Sequence, residues 1–354
     1  MDLSQYTTLQ LGGPAAHLVE ATTDDEVTTA ICEATSTGGP LLVLAGGSNV
    51  VVADEGFPGT VVRIATRGVE HDGRVLHVAA GEPWDPFVAR CVDDGLAGVE
   101  CLSGIPGSVG ATPIQNVGAY GQDVSETIVG VRALDRLDGE TVDLDPADCG
   151  FAYRSSTFKR EPGRWVVLRV SFALARSKQS RPIRYAELAR TLGVGIGDTA
   201  PLPEVREAVL ALRRGKGMVI DPHDPDSVSA GSFFTNPVLT GAQFAALEAR
   251  VSERLGDSVR PPAWRESNGG VKTSAAWLIE RAGFSRGYGD PDGIAISSKH
   301  VLALTNRGAG TATALVRLAR EIAAGVQDAF GVTLTPEPVF VGHAWDDLAV
   351  GSPR

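Results

Sequence analysis

The chain has 354 residues, of which 43% are hydrophobic and 21% are charged, and its net charge is −11 at pH 7. This composition is typical of a globular protein, and the length allows two or three domains. The acidic balance argues against a nucleic-acid backbone as the main partner, so an anionic ligand would need a local basic pocket. The four cysteines form no C-x-x-C pair, and the first residues show neither a secretion signal nor a membrane span. We therefore expect a cytoplasmic protein with no membrane partner.

The first part of the chain indicates a small α/β unit. Thr23 and Glu26 form a capping box that predicts the start of a helix, and Gly38 marks its end. Apolar runs predict strands at 41–44, 50–52 and 61–64. The link between the first two strands, residues 45–49, reads AGGSN. It is typical either of a hairpin turn or of a glycine-rich loop that binds an anion.

The middle of the chain is richer in strands. Asp138 and Gly139 predict a hairpin turn between two apolar runs. Strands are expected at 75–80, 128–134, 140–144 and 165–174, and a helix at 86–94. The last part alternates helices and strands, with helices expected at 204–212, 241–255, 274–282 and 311–330 and strands at 301–305 and 339–341.

A glycine-rich loop, residues 103–121, has the sequence SGIPGSVGATPIQNVGAYG. Its five glycines allow left-handed backbone and close approach of a ligand to main-chain amides. It contains no charged side chain, so a bound phosphate would be held mainly by backbone dipoles. Taken alone, the loop is also compatible with a tight structural turn.

Two charged segments lie between residues 213 and 226. Arg213, Arg214 and Lys216 follow a predicted helix, where they either complement the helix dipole or bind a diphosphate. The next segment carries Asp221, His223, Asp224 and Asp226. We interpret it as a solvated acidic loop and predict no metal site, because prolines stiffen it and the spacing fits no ligand pattern.

Absent motifs narrow the chemistry. The sequence contains no G-x-G-x-x-G, no P-loop, no H-E-x-x-H and no G-x-S-x-G. A standard Rossmann dinucleotide site is therefore not expected.

Several segments together resemble the UDP-N-acetylenolpyruvoylglucosamine reductase family, which are flavoenzymes of bacterial cell-wall synthesis. The matching segments extend over most of the chain and are LAGGSNVVVADEGFPGTVV (44–62), GVECLSGIPGSVGATPIQNVGAYGQDV (98–124), FAYRSSTFK (151–159), AGSFFTNPV (230–238), SAAWLIERAG (274–283) and LTPEPVFVG (334–342).

The resemblance implies an α+β fold. Its FAD-binding domain would be of the vanillyl-alcohol-oxidase (PCMH) type, in two subdomains at 1–65 and 66–200, and a C-terminal α/β substrate domain would occupy 201–354. It further implies tightly bound FAD, with NADPH as hydride donor. A flavin site of this type is compatible with the missing G-x-G-x-x-G.

The resemblance also implies the site residues. FAD would be bound by two glycine-rich segments, at Gly46, Gly47, Ser48, Asn49, Ile105, Ser108, Gly110, Gln115, Asn116 and Gly118. The leading candidates for the pyrophosphate are Ser48, Asn49, Ser108 and Gly110. The UDP-sugar would be bound by Tyr120, Tyr185, Arg213, Lys216 and Asn236.

Three residues would act on the enolpyruvyl group, as the resemblance implies. Arg154 would bind the carboxylate and stabilise the developing negative charge. Glu337 would be a neutral acid that donates a hydrogen bond to the same oxygen, and Ser232 would protonate C2. We expect these three residues to meet at one cavity, in a monomer whose partner is a small molecule.

Two alternatives stay open at this point. The chain could be another PCMH-type flavin oxidoreductase with a different substrate, or a non-catalytic protein that binds nucleotide sugars.

Overall fold

The structure is a computed structural model that describes residues 1–266, 269–343 and 345. The chain divides into two compact units. Unit 1 comprises residues 1, 15–47 and 57–219. Unit 2 comprises residues 2–14, 48–56 and the described residues from 220 onward.

The strands of the described residues, in chain order, are β1 (Ala15–Ala21), β2 (Leu41–Leu44), β3 (Val50–Val52), β4 (Phe57–Ile64), β5 (Val69–Asp72), β6 (Val75–Ala79), β7 (Leu96–Ala97), β8 (Gly118–Ala119), β9 (Gln122–Asp123), β10 (Ile128–Asp135), β11 (Thr141–Leu144), β12 (Trp165–Ala173), β13 (Ala175–Arg176), β14 (Ser229–Ser232), β15 (Val238–Leu239), β16 (Trp264–Arg265), β17 (Val271–Lys272), β18 (Ile294–Ile296), β19 (Ala303–Asn306) and β20 (Val339–Val341).

The α-helices of the same residues are α1 (Asp24–Ser36), α2 (Trp84–Asp93), α3 (Thr112–Gln115), α4 (Thr157–Arg160), α5 (Ala186–Leu192), α6 (Leu202–Arg214), α7 (Gly241–Leu255), α8 (Ala275–Ala282) and α9 (Ala312–Phe330). Short 3-10 helices lie at Leu3–Tyr6, Glu100–Leu102, Val109–Ala111, Val124–Glu126 and Pro225–Ser227. In the part of the chain that the structure describes, no helix is both long and apolar enough to cross a bilayer.

Unit 1 is built on two main sheets. A parallel sheet has the order β1-β4-β2, and α1 packs against it. An antiparallel sheet has the order β11-β10-β12-β6-β5. The core of this unit includes the tilted aromatic group Trp84, Phe87 and Phe172, with ring centroids 5.3 to 6.1 Å apart. Burial of such rings is a major source of folding free energy.

Two local predictions in unit 1 are confirmed. The Thr23 side chain accepts from the Glu26 N–H, and the Glu26 carboxylate accepts from the Thr23 N–H, so the capping box begins α1. The predicted hairpin also forms, because β10 pairs antiparallel with β11, with Leu134 opposite Thr141.

The hairpin interpretation of the link at 45–49 is wrong. Strand β2 pairs with β4, whereas β3 pairs in parallel with β20. The two strands that flank the link therefore belong to different sheets. A parallel partner from the far end of the chain is invisible to local sequence patterns, because a short apolar run indicates a strand but not its neighbour.

Unit 2 has an antiparallel sheet of order β14-β19-β18, a small sheet of order β15-β17-β16, and the β20–β3 pair. Helices α8 and α9 pack together, and α7 also contacts α9. The core of this unit includes Leu278, Ile322 and Phe330, which are at most 1% exposed.

The three predicted domains do not coincide with these two units. Residues 201–219, which include α6, belong to unit 1, and residues 2–14 and 48–56 belong to unit 2. The division at residue 65 into two subdomains stays a prediction.

Candidate active site

The glycine-rich loop lies along residues 80–84 of unit 1. The Val109 N–H donates to the Glu82 carbonyl, and the Gly110 N–H donates to the Ala80 carbonyl, both at 2.8 Å. These two amides are already bonded inside the protein. Cofactor contact by Gly110 stays a prediction, but its N–H is not an open donor.

A different part of the loop fits a phosphate. A Cβ added to Gly46 would lie 2.6 Å from the Gly107 Cα and 3.0 Å from the Ser108 nitrogen, so only glycine permits this approach. Ser108 is 4% exposed, and its Oγ has no hydrogen-bond partner among the described residues. A buried hydroxyl without a partner is costly, and a phosphate oxygen would satisfy it. The residues at this point therefore fit the pyrophosphate of FAD.

Two further residues predicted to bind FAD lie in the same segments. Gly47 follows Gly46 with left-handed backbone, at φ +58°, a conformation that favours glycine. Ile105 packs, partly buried, against the core of unit 1. Contact of either residue with the cofactor stays a prediction.

The side chains of Gln115 and Asn116 tie the loop to residues 152–159. The Lys159 ammonium donates to Gln115 Oε1 at 2.8 Å and to the Arg154 carbonyl at 3.1 Å. Asn116 donates through Nδ2 to the Ala152 carbonyl at 2.9 Å. Lys159 was not singled out from the sequence, although it lies in the matching segment FAYRSSTFK.

Arg154 is held against the same loop. Its guanidinium donates to the Asn116 carbonyl at 3.1 Å and to the Gly118 carbonyl, and it lies 3.7 Å from the Asp123 carboxylate. A Cβ on Gly118 would lie 1.7 Å from Asp123 Oδ1 and 2.9 Å from Arg154 Nη1, so glycine leaves room for both side chains. Asp123 is a further residue that sequence reasoning missed.

Backbone strain is concentrated at this site. Four non-glycine residues in the described part of the chain have positive φ, and three of them are Asn116 (+42°), Tyr120 (+49°) and Arg154 (+50°). Such conformations cost free energy and cluster at functional sites. All three residues were predicted to bind cofactor or substrate or to act in catalysis.

Three of the residues predicted to bind the UDP-sugar lie together in unit 1. The rings of Tyr120 and Tyr185 meet edge to face at 5.4 Å, and Lys216 Nζ lies 5.9 Å from the Tyr120 ring centre. Lys216 also forms an ion pair with Glu187 at 2.8 Å. Burial raises the pKa of Tyr120 despite the opposing charges of Lys216 and Arg213, so the phenol stays a hydrogen-bond donor at neutral pH.

Arg213 is partly buried close to the glycine-rich loop. A Cβ on Gly104 would lie 3.5 Å from Arg213 Nε, and the guanidinium donates to the Met218 carbonyl at 2.8 Å. Asp85 binds the same part of the loop, accepting from the Gly104 N–H at 2.6 Å and pairing with Arg206 at 2.7 Å.

Ser232 and Glu337 belong to unit 2. Ser232 ends β14 opposite Ala303 of β19. The residue after it, Phe233, accepts a hydrogen bond from the Glu337 N–H at 2.8 Å. The segments that carry the predicted proton donor and the predicted acid are therefore directly paired. Arg154 belongs to unit 1, and the meeting of all three residues at one cavity stays a prediction.

Three other predicted residues of unit 2 have partners within that unit. Asn49 donates through Nδ2 to the Glu337 carbonyl at 3.3 Å, and the Ser48 carbonyl accepts from Thr8 at 3.5 Å. Asn236 Oδ1 accepts from the Ala275 N–H at 3.0 Å, at the start of α8. Ligand contacts by these three residues stay predictions.

The solvated-loop interpretation of residues 221–226 is wrong for Asp226. This carboxylate is 2% exposed and accepts from Ser298 Oγ at 2.5 Å and from Arg307 Nη2 at 2.7 Å. Burial alone would raise the pKa of Asp226, but the Ser298 hydrogen bonds and the Arg307 charge hold it below its usual value. Within the described ranges, no group of histidine, cysteine or carboxylate side chains could hold a metal ion.

Two family models match the chain. One is described as an FAD binding domain and matches residues 15–145. The other is described as the C-terminal domain of UDP-N-acetylenolpyruvoylglucosamine reductase and matches residues 223–341.

Curated relatives and a solved structure agree with these models. The chain is 61% identical to the UDP-N-acetylenolpyruvoylglucosamine reductase of Streptomyces coelicolor, over 97% of this chain and 89% of the relative. It is 59% identical to that of Thermobifida fusca, over 96% of each chain. The crystal structure of the reductase from Thermus caldophilus matches with a TM-score of 0.66 at 26% identity, over 96% of this chain and 97% of the other. The chain belongs to the UDP-N-acetylenolpyruvoylglucosamine reductase family and carries an FAD-binding domain of the PCMH type.

Proposed function

We propose that this protein reduces UDP-N-acetylglucosamine enolpyruvate to UDP-N-acetylmuramate, with FAD as cofactor and NADPH as hydride donor, in the synthesis of peptidoglycan precursors. The observation that carries the proposal is the 61% identity to a curated reductase over 97% of the chain. The fit of Gly46, Gly107 and Ser108 to a pyrophosphate supports it independently. We place the reaction in the cytoplasm and expect a monomer.

FAD, when bound, supplies the hydride chemistry, and the protein positions and polarises the substrate. Arg154 binds the carboxylate of the enolpyruvyl group, where a fixed planar cation stabilises the negative charge that develops in the transition state. Glu337 acts as a neutral acid beside this charge and donates a hydrogen bond to the same carboxylate. Ser232 delivers a proton to C2, which becomes strongly basic during the reaction.

The UDP-sugar is bound by a second group of residues in this proposal, namely Tyr120, Tyr185, Arg213, Lys216 and Asn236. Tyr120 and Tyr185 offer aromatic surface and phenol donors, and the cationic Lys216 beside them suits a diphosphate. Asn236 is the member of this group that belongs to unit 2.

Absorption spectra of the purified protein test the proposal. Flavin bands that bleach with NADPH and return when UDP-N-acetylglucosamine enolpyruvate is added, without oxygen, are the expected result. Protein that neither contains nor takes up FAD would contradict it. So would reduced protein that this substrate fails to reoxidise.

Ser232→Ala tests the assigned proton donor. We expect reoxidation by the substrate to slow by about 10²–10⁴-fold, the usual contribution of general acid catalysis, while reduction by NADPH stays near normal. Ser285→Ala, at an exposed serine of the same unit, is the matched control and should change neither rate. Equal losses in both half-reactions for Ser232→Ala would contradict the acid role.

A further inference from the structure

Glu100 is a fully buried carboxylate that the proposed mechanism does not use. It is 0% exposed and lies just before the glycine-rich loop of unit 1. Its Oε2 accepts from the Gly98 N–H at 2.5 Å, and its Oε1 accepts from Gln122 Nε2 at 3.0 Å and from the Arg181 N–H at 2.8 Å. Burial of a carboxylate is costly unless hydrogen bonds replace those it makes to water. The three donors around Glu100 therefore make its burial possible.

The bond to Gln122 fixes the turn that carries Tyr120. Gln122 is 6% exposed and begins β9, directly after the Tyr120–Gly121 turn between β8 and β9. Its Oε1 also accepts from the Cys101 N–H at 2.9 Å. Gln122 is therefore bonded through both ends of its amide to neighbouring residues, Glu100 and Cys101. These two bonds hold the chain two residues after Tyr120, whose backbone is left-handed, and they oppose a change of Tyr120 to a less strained conformation.

The bond to Arg181 fixes a second segment. Two residues later Ile183 is 1% exposed and packs in one cluster with Cys101 and Leu188. Tyr185 follows at the N-terminus of α5, and its ring meets the Tyr120 ring at 5.4 Å. One carboxylate oxygen, Glu100 Oε1, thus joins the two segments whose tyrosines are in contact.

We propose that Glu100 is a positioning residue for the UDP-sugar, holding the Tyr120 turn and the Tyr185 segment at the spacing that places both rings against the ligand. The inference rests on the proposed function, because it assigns the two tyrosines to the nucleotide-sugar site. Glu100 itself touches neither ligand nor cofactor in this proposal. Its loss should weaken UDP-sugar binding and leave the flavin unaffected.

Calorimetric titration of the FAD-loaded protein with UDP-N-acetylmuramate tests this. For Glu100→Gln we expect Kd for this product, and KM for the substrate, to rise about 10-fold, whereas kcat, flavin content and the rate of reduction by NADPH change less than about twofold. A glutamine has one acceptor oxygen where the carboxylate had two. It therefore cannot accept from the Gly98 N–H and also from Gln122 and Arg181. The matched control is Asp135→Asn, which alters another buried carboxylate of unit 1, bonded to Arg164 at 2.7 Å. It should leave Kd unchanged.

A double-mutant cycle separates positioning from a general loss of stability. If Glu100 acts through the tyrosines, Glu100→Gln should weaken product binding less in a Tyr185→Ala protein than in wild type, because the part of its effect that runs through Tyr185 is already lost. Gln122→Ala, which keeps Glu100 and removes one donor, should weaken binding in the same direction and serves if Glu100→Gln does not fold.

Two results would overturn the inference alone: wild-type affinity in both Glu100→Gln and Gln122→Ala, or effects of Glu100→Gln and Tyr185→Ala that multiply. A wild-type protein that binds FAD but neither UDP-N-acetylmuramate nor the substrate would instead overturn the proposed function, and this inference with it.

Discussion

Gly46 and Gly107 approach each other so closely that a Cβ on Gly46 would lie 2.6 Å from the Gly107 Cα. The contact joins two glycine-rich segments that are far apart in sequence, and it lies beside the unsatisfied hydroxyl of Ser108. Both segments belong to unit 1 at this point. Their packing leaves no room for a side chain, so we expect the proposed cofactor site to be sensitive to one added methyl group.

Gly46→Ala should lower the flavin content of the purified protein. The added methyl group must displace the Gly107 backbone, and such overpacking costs about 1–3 kcal/mol. The ratio of flavin to protein absorbance and the thermal unfolding midpoint measure the effect. Gly241→Ala is the control, because nothing lies within 4 Å of a Cβ at that helix start. A Gly46→Ala protein with full FAD and an unchanged midpoint would show that the contact relaxes freely.

Lys159→Met should slow reoxidation of the reduced enzyme by the substrate by about 10-fold and leave reduction by NADPH near normal. The ammonium bonds the Arg154 carbonyl and Gln115, and its removal frees the strained backbone that orients the guanidinium. Stopped-flow measurement of the two half-reactions checks this. Lys159→Arg should recover part of the rate, and Lys178→Met, at an exposed lysine of unit 1, should match wild type. A Lys159→Met enzyme with an unchanged reoxidation rate would exclude this role.

A thiol reagent should modify one cysteine in the native protein and four after denaturation. Cys32 is exposed, and the other three are buried. Burial raises the pKa of Cys91 and of Cys149 to about 12 and also raises that of Cys101, so their reactive thiolates are scarce. Ellman's reagent counts the thiols, and Cys32→Ser should abolish the native reaction. Rapid modification of a second native thiol would contradict the burial.

Asp226→Asn should make the free energy of unfolding less dependent on pH in the acidic range. Burial disfavours the charged form of Asp226, but hydrogen bonds from Ser298 and the charge of Arg307 outweigh it and hold the pKa below its ordinary value of 3.8. The stabilisation is therefore present above that value and is lost as pH falls through the lower pKa of the folded state. We expect the variant to be less stable by about 1–3 kcal/mol at neutral pH.

Urea unfolding between neutral pH and about pH 3 measures that dependence around the carboxylate pKa. The difference in the free energy of unfolding between wild type and Asp226→Asn should become smaller as the pH falls. The control is Asp72→Asn, at an exposed carboxylate of β5, and its free energy of unfolding should change with pH as that of wild type does. A gap that stays constant over the whole range would mean that the charge on Asp226 does not contribute.

Local features of the fold could be predicted from the sequence because their causes are local. The capping box of Thr23 and Glu26 and the hairpin around Asp138 each depend on residues within a few positions of each other. The family motifs likewise indicated the segments that carry Arg154, Ser232 and Glu337, because each motif is contiguous.

Long-range partners could not be predicted in the same way. The acidic loop looked solvated because the sequence does not show that Arg307 and Ser298 meet Asp226. Lys159 was not singled out, because the sequence does not show that its ammonium meets the Arg154 carbonyl and Gln115. The bond from Asn49 to the Glu337 carbonyl was likewise not predicted, because the sequence does not show that β3 and β20 are paired.

The pairing of Val50–Val52 with Val339–Val341 has a consequence for folding during synthesis. A ribosome adds residues 53–338 between these two strands, so the first strand exists for roughly tens of seconds before its partner at ordinary elongation rates. During this time the main-chain donors and acceptors of the three valines lack their native partner strand and can pair with another chain. A polypeptide that ends before Val339 would therefore lack the strand with which Val50–Val52 pairs.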